Sequence, residues 1–401
     1  MPFLKRFTHG LWLRLPQRKR RRWFIALFAA ICPRPGNGNP PTRLPAVVGG
    51  VLGSTTGLGE SARMNVEALR VAGLPFATVD FSSSLLGDQG RPQRRMADTA
   101  DADGPGSLIL HVSGPFIPYA LHRCGRRLLR DKRVIGFWHW ELPRLPAEWK
   151  VGMPYVHEVW VPSRFCAEAV RHDYSGPVAV VPHPVDVQGT AKAHRTDGVF
   201  SVVTMFNMAS GFERKNPVAS IRAFRQAFGR DGTARLTVKV LNPEAYPAGM
   251  AELRGAIEGC GNIAVRTEPM TRGEVLALIG GADAVLSLHR SEGFGLLAAE
   301  AMLIGVPVVA TDWSATAEFV TAETGLPIPH RLIPAIDPQG SYHFPDQRWA
   351  DPDVDAAAEA LCRLRADPAL ASALAGRAKT KAADMFSAAH YIERIKAALG
   401  C

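Results

Sequence analysis

No two of the six cysteines, at positions 32, 124, 166, 260, 362 and 401, stand in a C-x-x-C spacing. That argues against a zinc-ribbon or thioredoxin-type motif and a disulfide framework, and it suits a reducing compartment. There is no strand–G-x-G-x-x-G–helix unit with an acid about 20 residues on, which counts against a nicotinamide-dependent dehydrogenase. The histidines form no ligand cluster. The D-x-D pairs Asp101/Asp103 and Asp353/Asp355, a form used by metal-dependent transferases, fall in a polar loop and at an expected helix start, where Asp caps. Neither a metal nor a cofactor is expected.

Long apolar runs are missing too. Trp23–Cys32 is wholly apolar but only ten residues long, and a membrane-spanning helix needs roughly 20. No A-x-A-like site of small residues follows before Pro33, so the run does not read as a cleaved signal. Excess charge is absent from the body of the chain. Residues 1–40 hold nine basic side chains and no acidic one, whereas the rest holds 38 basic and 37 acidic groups. The formal charge of +10 thus belongs to one arm, and a nucleic-acid partner is not expected. The basic, apolar arm is expected to lie on an anionic membrane face, with a disordered tail as the plain alternative. Pro33–Pro45 reads as a linker.

What is present is a βα rhythm, in 401 residues that suffice for two domains. Apolar runs at Val47–Leu52, Phe76–Phe81, Leu108–Val112, Val134–Trp138, Val159–Val161 and Val178–Val181 predict strands. Helical spacing is seen at Glu60–Ala72, Tyr119–Arg130 and Ser163–His172, and residues 82–106 read as a polar loop. A second series begins at Phe200. Its strands are Phe200–Phe206, Leu236–Leu241, Ile263–Arg266, Ala284–Leu288 and Val306–Ala310. Helices Pro217–Phe228, Met250–Glu258, Arg272–Ile279 and Leu296–Ile304 alternate with them, and the chain is helical after Asp353. This predicts two open parallel sheets covered by helices, with a ligand cleft at the strands' C-terminal ends. The expected divisions are an arm and linker (1–44), a first domain (45–190), a second domain (191–385) and a C-terminal helix (386–401) that packs back on the first domain.

The densest chemistry lies in Ala284–Val320. A buried strand ends at Leu288, polar residues His289, Arg290 and Ser291 follow, and Glu292-Gly-Phe-Gly opens a helix containing Glu300. Gly293 and Gly295 let backbone N–H groups approach a ligand, and a helix N-terminus favours an anion such as a diphosphate. Arg214 and Lys215 precede another helix, where cations oppose the dipole unless they serve an anion. His139 stands at a strand end between Trp138 and Trp140 and reads as a site residue or as a packed, hydrogen-bonded core residue; the two Trp rings would stack on a sugar face or fill the core, and Glu141 is an acceptor-site candidate. Arg123, Arg126, Arg127, Arg130, Lys132 and Arg133 form a basic run, ordinarily a solvated face, that would also suit a lipid diphosphate or a membrane surface.

The stretch from Glu292 to Glu300 resembles the E-x7-E signature of glycosyltransferase family 4, retaining enzymes of the GT-B fold. Val159-Trp-Val-Pro-Ser-Arg-Phe, Val181-Pro-His-Pro-Val-Asp, Arg214-Lys-Asn-Pro and the Gly-rich loop Gly49–Glu60 are similar to family segments in the same order. The resemblance implies two Rossmann-like domains and a nucleoside-diphosphate-sugar donor. Glu292 would meet the donor sugar and Glu300 the nucleoside ribose. Gly293, Phe294, Gly295 and Leu296 would offer backbone N–H groups, and Lys215 with Arg214 would neutralise the diphosphate. His139 would contact the sugar, and Gly57 and Gly59 would belong to the acceptor-side loop. One departure is Ala209, near where the family places an Arg. The implied activity is transfer to a saccharide or lipid-linked saccharide in cell-surface or exopolysaccharide synthesis, on the cytoplasmic membrane face. A nucleotide-sugar 2-epimerase and a non-catalytic binding module remain as rivals.

Overall fold

The computed structural model describes residues 17–54, 56–86, 98–194 and 196–400. The start of the basic arm, with Lys5, Arg6 and Arg14, and the middle of the polar loop at 87–97 lie outside these residues.

The first unit is a six-stranded parallel sheet: β1 (Ala46–Gly50), β2 (Phe76–Asp80), β3 (Gly106–His111), β4 (Lys132–Phe137), β5 (Glu158–Val161) and β6 (Val178–Val180). Their order is β2-β1-β3-β4-β5-β6, and all pairs are parallel. Helices α1 (Gln17–Ile31), α2 (Gly57–Val71), α3 (Ser82–Leu86), α4 (Ile117–Leu129) and α5 (Arg164–Arg171) accompany it. Strands buried on both faces need continuous apolar sequence, and β1 and β3 are buried along their whole length.

The second unit has β7 (Phe200–Asn207), β8 (Ala234–Leu241), β9 (Ile263–Arg266), β10 (Ala284–Ser287), β11 (Val308–Thr311) and β12 (Leu326–Ile328), in the order β12-β11-β10-β7-β8-β9. Its helices are α6 (Phe212–Lys215), α7 (Pro217–Phe228), α8 (Pro247–Ala256), α9 (Arg272–Gly280) and α10 (Leu296–Ile304). The strand order reverses between β7 and β10. In an open α/β sheet the crevice at such a reversal is where ligands bind, and Arg214/Lys215 and Glu292 follow these two strands.

Three strands escaped the sequence reading. β12 of the second sheet is too short to stand out, and after it comes an antiparallel hairpin, β13 (His330–Ala335) with β14 (Phe344–Pro352). After it come α11 (Val354–Ala366), α12 (Pro368–Phe386) and α13 (Ala388–Leu399). α13 returns to the first unit: Tyr391, Ile395 and Leu399 share a core with Ala62, Val66 and Leu69 of α2, and Asn65 Nδ2 donates to the Tyr391 hydroxyl at 2.7 Å.

Over its described part the arm departs from the disordered-tail alternative. Gln17–Ile31 is a helix docked on α4, not a detached tail. Phe24 packs against Phe116 and Tyr119, Phe28 against Tyr119 and His122, and Ile25 is buried. Tyr155 donates to the Ala29 carbonyl at 2.7 Å, and Arg21 pairs with Glu148. The linker is likewise held down. Arg133 donates to the Gly38 carbonyl, and the His157 ring contacts the Gly36 carbonyl at 3.0 Å. Half of the apolar run therefore spends its surface on the protein itself. Trp23, Leu27 and Ile31 do not; one helical turn apart, they are 68%, 54% and 49% exposed.

Candidate active site

After β7 the chain must double back to bring a basic pair to the strand tips. Asn207 caps a short turn by accepting from Ala209 N–H, Gly211 takes φ 94°, and α6 ends at Asn216 in the left-handed region. Asn216 Nδ2 donates to the Leu288 carbonyl at 3.0 Å, tying this loop to β10's exit. Arg214 is buried. Its Nη1 donates to the Ser291 carbonyl at 2.8 Å and to Glu292 Oε2 at 3.2 Å, while Nε and Nη2 reach the Ser210 carbonyl. Lys215 forms an ion pair with the other Glu292 oxygen. A solvated basic pair is thereby excluded.

Glu292 is fixed from the opposite side, where its N–H donates to Ser314 Oγ at 2.8 Å. Burial raises the carboxyl's pKa, but Lys215 and Arg214 outweigh it and hold Glu292 at about 2. Lys215 is pulled below 10.5, because burial and the Arg214 charge together outweigh the attraction of Glu292. An arriving diphosphate would relieve that cost. Gly295, at φ 90°, opens α10, and among the described residues no side chain caps it, so the helix N-terminus beside Glu292 lacks the usual oxygen acceptor. Close by, His289 Nδ1, Ser291 Oγ and Trp313 Nε1 are buried without a partner among the described residues. Orphaned polar atoms of this kind fit hydroxyls and phosphate oxygens.

Glu300 lies further along α10, almost fully buried and ion-paired with Arg272 of α9. Burial raises its pKa, against the pull of Arg272 and with a further push from Glu60. Glu60 lies with Gly57 and Gly59 in the first turn of α2, on the first-domain side of the cleft. Gly59 serves close packing, since a Cβ there would sit 2.6 Å from the Ser54 carbonyl; Gly57 faces open space.

On the first-unit side, His139 does not stand alone. Its Nε2 lies 2.7 Å from His183 Nε2, and the His183 ring meets Phe294 at 5.1 Å, bringing the histidine pair to the Glu292 loop. His111 stacks on Phe137 nearby and bonds Ser61 at 2.8 Å. Burial lowers all three, His139 to about 4, so they are neutral imidazoles. Trp138 and Trp140 resolve as core: both pack on Trp149. In the basic run, Lys132 is buried and Arg133 pairs with Glu158, whereas Arg123, Arg126, Arg127 and Arg130 are exposed on α4 and its end. Asp353 caps α11, as expected, and Asp103 pairs with Arg127. Among the described residues no group of three or more His, Cys, Asp or Glu side chains could hold a metal ion.

The structure thus gathers Glu292, Lys215 and Arg214 directly, sets His139 beside them through His183 and Phe294, and places Glu300 behind. Arg272, His183 and His111 were not picked out from sequence. The signal for His183 was present, a His inside the Val181–Asp186 turn; Arg272 looked like an ordinary helix start.

The family described as "Family 4 Glycosyltransferase in conflict systems" matches residues 164–395, more than half of the chain. The chain belongs to this family. No curated protein matches it. HepE of Anabaena, solved with UDP and glucose, superposes with a TM-score of 0.62 at 14% identity, covering 88% of this chain and 99% of that one. Sucrose-phosphate synthase from Thermosynechococcus elongatus gives 0.61 at 16%, covering 89% and 98%. TarM of S. aureus, solved with fondaparinux, α-GlcNAc-glycerol and UDP, gives 0.56 at 15%, over 74% of this chain and 55% of that one. The chain spans about half the length of TarM. These likenesses show the fold: GT-B, two Rossmann-like domains facing each other.

Proposed function

We propose that the protein is a retaining glycosyltransferase that moves a sugar from a nucleoside-diphosphate sugar to a saccharide acceptor. One observation carries this: Lys215 and Arg214 fold back onto Glu292 beside the uncapped start of α10, at the reversal of the second sheet. In this reading the diphosphate takes up the two cations and the helix N-terminus, which stabilise the charge of the departing group. Glu292, released from part of its ion pairing, meets sugar hydroxyls, and neutral His139 offers a hydrogen bond from the other domain. Retention follows from the family resemblance, with acceptor attack on the leaving group's face and the phosphate taking the acceptor proton. Uridine is the first base to try, because HepE and TarM were solved with UDP.

A lipid-linked acceptor on the cytoplasmic membrane face, in cell-surface or exopolysaccharide synthesis, completes the proposal. Among the described residues no helix is long and apolar enough to cross a membrane. The Trp23/Leu27/Ile31 stripe, with exposed arginines of α4 nearby, supports a peripheral contact. Thermal melting with millimolar UDP, GDP, ADP and dTDP tests the donor, since a ligand specific to the folded state raises Tm. No shift with any of them overturns the reading. Sugar turnover without an acceptor would indicate the epimerase, and binding without turnover the non-catalytic module.

A further inference from the structure

We infer that Tyr342 is a positioning residue for the transfer, setting Arg214 of the second domain and Glu141 of the first in one arrangement; this rests on reading the Lys215–Glu292 cleft as the donor site. Tyr342 sits in the turn between β13 and β14. By chain order that hairpin belongs to the second domain, yet Ala335 and Trp349 are buried in the first domain's core, in one cluster with Trp140 and Leu142. Arg144 N–H donates to Gln347 Oε1 at 2.9 Å and its guanidinium reaches Asp346 at 2.7 Å. The turn also grips the donor-side loop: Gln339 accepts from Phe212 N–H at 2.6 Å and donates to the Met208 carbonyl at 3.1 Å. The hairpin is thus latched to both sides of the cleft.

Tyr342 is where the two grips meet. Its own N–H donates to buried Asp337 at 2.9 Å, which fixes the turn. Its hydroxyl donates to Glu141 Oε2 at 2.9 Å, and the Arg214 guanidinium lies over its ring, 5.0 Å from the centroid. A Cβ on Gly211 would come within 3.2 Å of the ring, so that glycine admits the approach.

The consequence is a division of labour between two carboxylates that both face Arg214. Glu292 is 3.2 Å from the guanidinium and Glu141 3.9 Å. The Tyr342 hydroxyl occupies Glu141 Oε2 and holds that carboxylate off the cation. Loss of water around the phenol pushes its pKa well above 10, so it stays a hydrogen-bond donor. Without the hydroxyl, Glu141 swings onto Arg214 and competes with an incoming diphosphate. Two loops of different domains are also held in register before any ligand arrives.

The test uses Tyr342→Phe, which keeps the ring under Arg214 and removes only the hydroxyl, so folding is preserved. The expected result is a UDP Kd about fivefold weaker, the size of the one polar contact that Glu141 then makes with Arg214, with Tm of the free protein nearly unchanged. Adding Glu141→Gln to Tyr342→Phe should restore UDP affinity to within about twofold, because a neutral amide does not compete for a cation. Wild-type UDP affinity in Tyr342→Phe, or a loss that Glu141→Gln leaves unrepaired, overturns the proposal. Amide exchange in ligand-free protein separates it from the donor reading. Exchange should rise at 139–145 and 208–216 together in Tyr342→Phe, whether or not UDP binds the wild type; unchanged exchange in both loops overturns the latch.

Discussion

His139 and His183 face each other through their Nε2 atoms at 2.7 Å, so one ring donates and the other accepts. Among the described residues each keeps a buried Nδ1 without a partner, and the two Nδ1 atoms must differ, one bearing a proton and one not. The pair therefore presents one donor and one acceptor, suited to sugar hydroxyls, as long as both rings remain neutral.

That neutrality ties stability to pH. Burial holds His139 and His289 each at about 4 in the folded chain, against 6.5 for a free imidazole. The unfolded chain binds these protons first, so the contribution is complete above 6.5 and is lost as pH falls toward 4. Each group should cost on the order of 2 kcal/mol between pH 7 and 5. Urea unfolding at pH 7, 6 and 5 checks it, and His289→Gln should flatten the dependence. A midpoint constant over this range contradicts the buried neutral rings.

Glu292→Gln separates binding from chemistry. The variant keeps shape but frees Lys215 and Arg214 from their internal anion, so UDP should bind at least as tightly as to the wild type. Transfer should fall at least tenfold, roughly 1.4 kcal/mol of transition-state stabilisation. Folding stability should drop as well, since two cations lose a buried partner. Calorimetry with UDP and initial rates of transfer give the two halves. Weaker UDP binding together with normal turnover would remove Glu292 from the reaction.

Lys215 predicts the alkaline limb of donor binding. Its pKa lies below 10.5 in the free protein because of burial and Arg214, and a bound diphosphate favours the ammonium. UDP affinity should accordingly fall as pH rises through the free-protein pKa, with proton uptake on binding in that range. Titrations at stepped pH values up to 10.5, each in two buffers of different ionisation enthalpy, measure the uptake. Lys215→Arg, always charged, should abolish it. Equal heats in both buffers would place the ammonium away from the phosphates.

Most of both sheets was legible because fully buried parallel strands are continuous apolar runs, and Ile263–Arg266 and Pro217–Phe228 appear at the expected residues. β12 and the hairpin were not. Leu326–Ile328 is too short for periodicity, and β13 and β14 alternate proline and charge with apolar residues in a way that resembles a loop. In the site, Glu292, Lys215 and Arg214 were visible as chain-local motifs. Arg272, His183 and Tyr342 were not, because each acts on a residue 28 to 201 positions away and only the fold supplies that neighbour. The arm misled in a specific way: an apolar run shows that surface must be covered, without showing by what.

The arm also supplies the last prediction. Phe24, Ile25 and Phe28 are committed to α4 and to Phe116 and Tyr119, while Trp23, Leu27 and Ile31 face outward beside basic residues. The two stripes of one helix should separate under mutation. Phe24→Ala with Phe28→Ala removes packed aromatic surface and should lower stability by about 3 kcal/mol or more. Trp23→Ser, Leu27→Ser and Ile31→Ser together remove only exposed apolar area and should leave Tm almost unchanged. Their effect should fall on the membrane instead. Each basic group near an anionic surface adds on the order of 1 kcal/mol, decaying within a Debye length, while the apolar stripe contributes a share that salt does not screen. Full-length protein should sediment with vesicles containing phosphatidylserine, and high salt should weaken this only in part. The triple Ser variant should bind at low salt and be released completely at high salt. Deleting residues 1–40 is a poorer test, because it would uncover Phe116, Tyr119 and Tyr155 and destabilise the first domain. If wild-type protein ignores anionic vesicles at low salt, the outward stripe serves something other than a membrane.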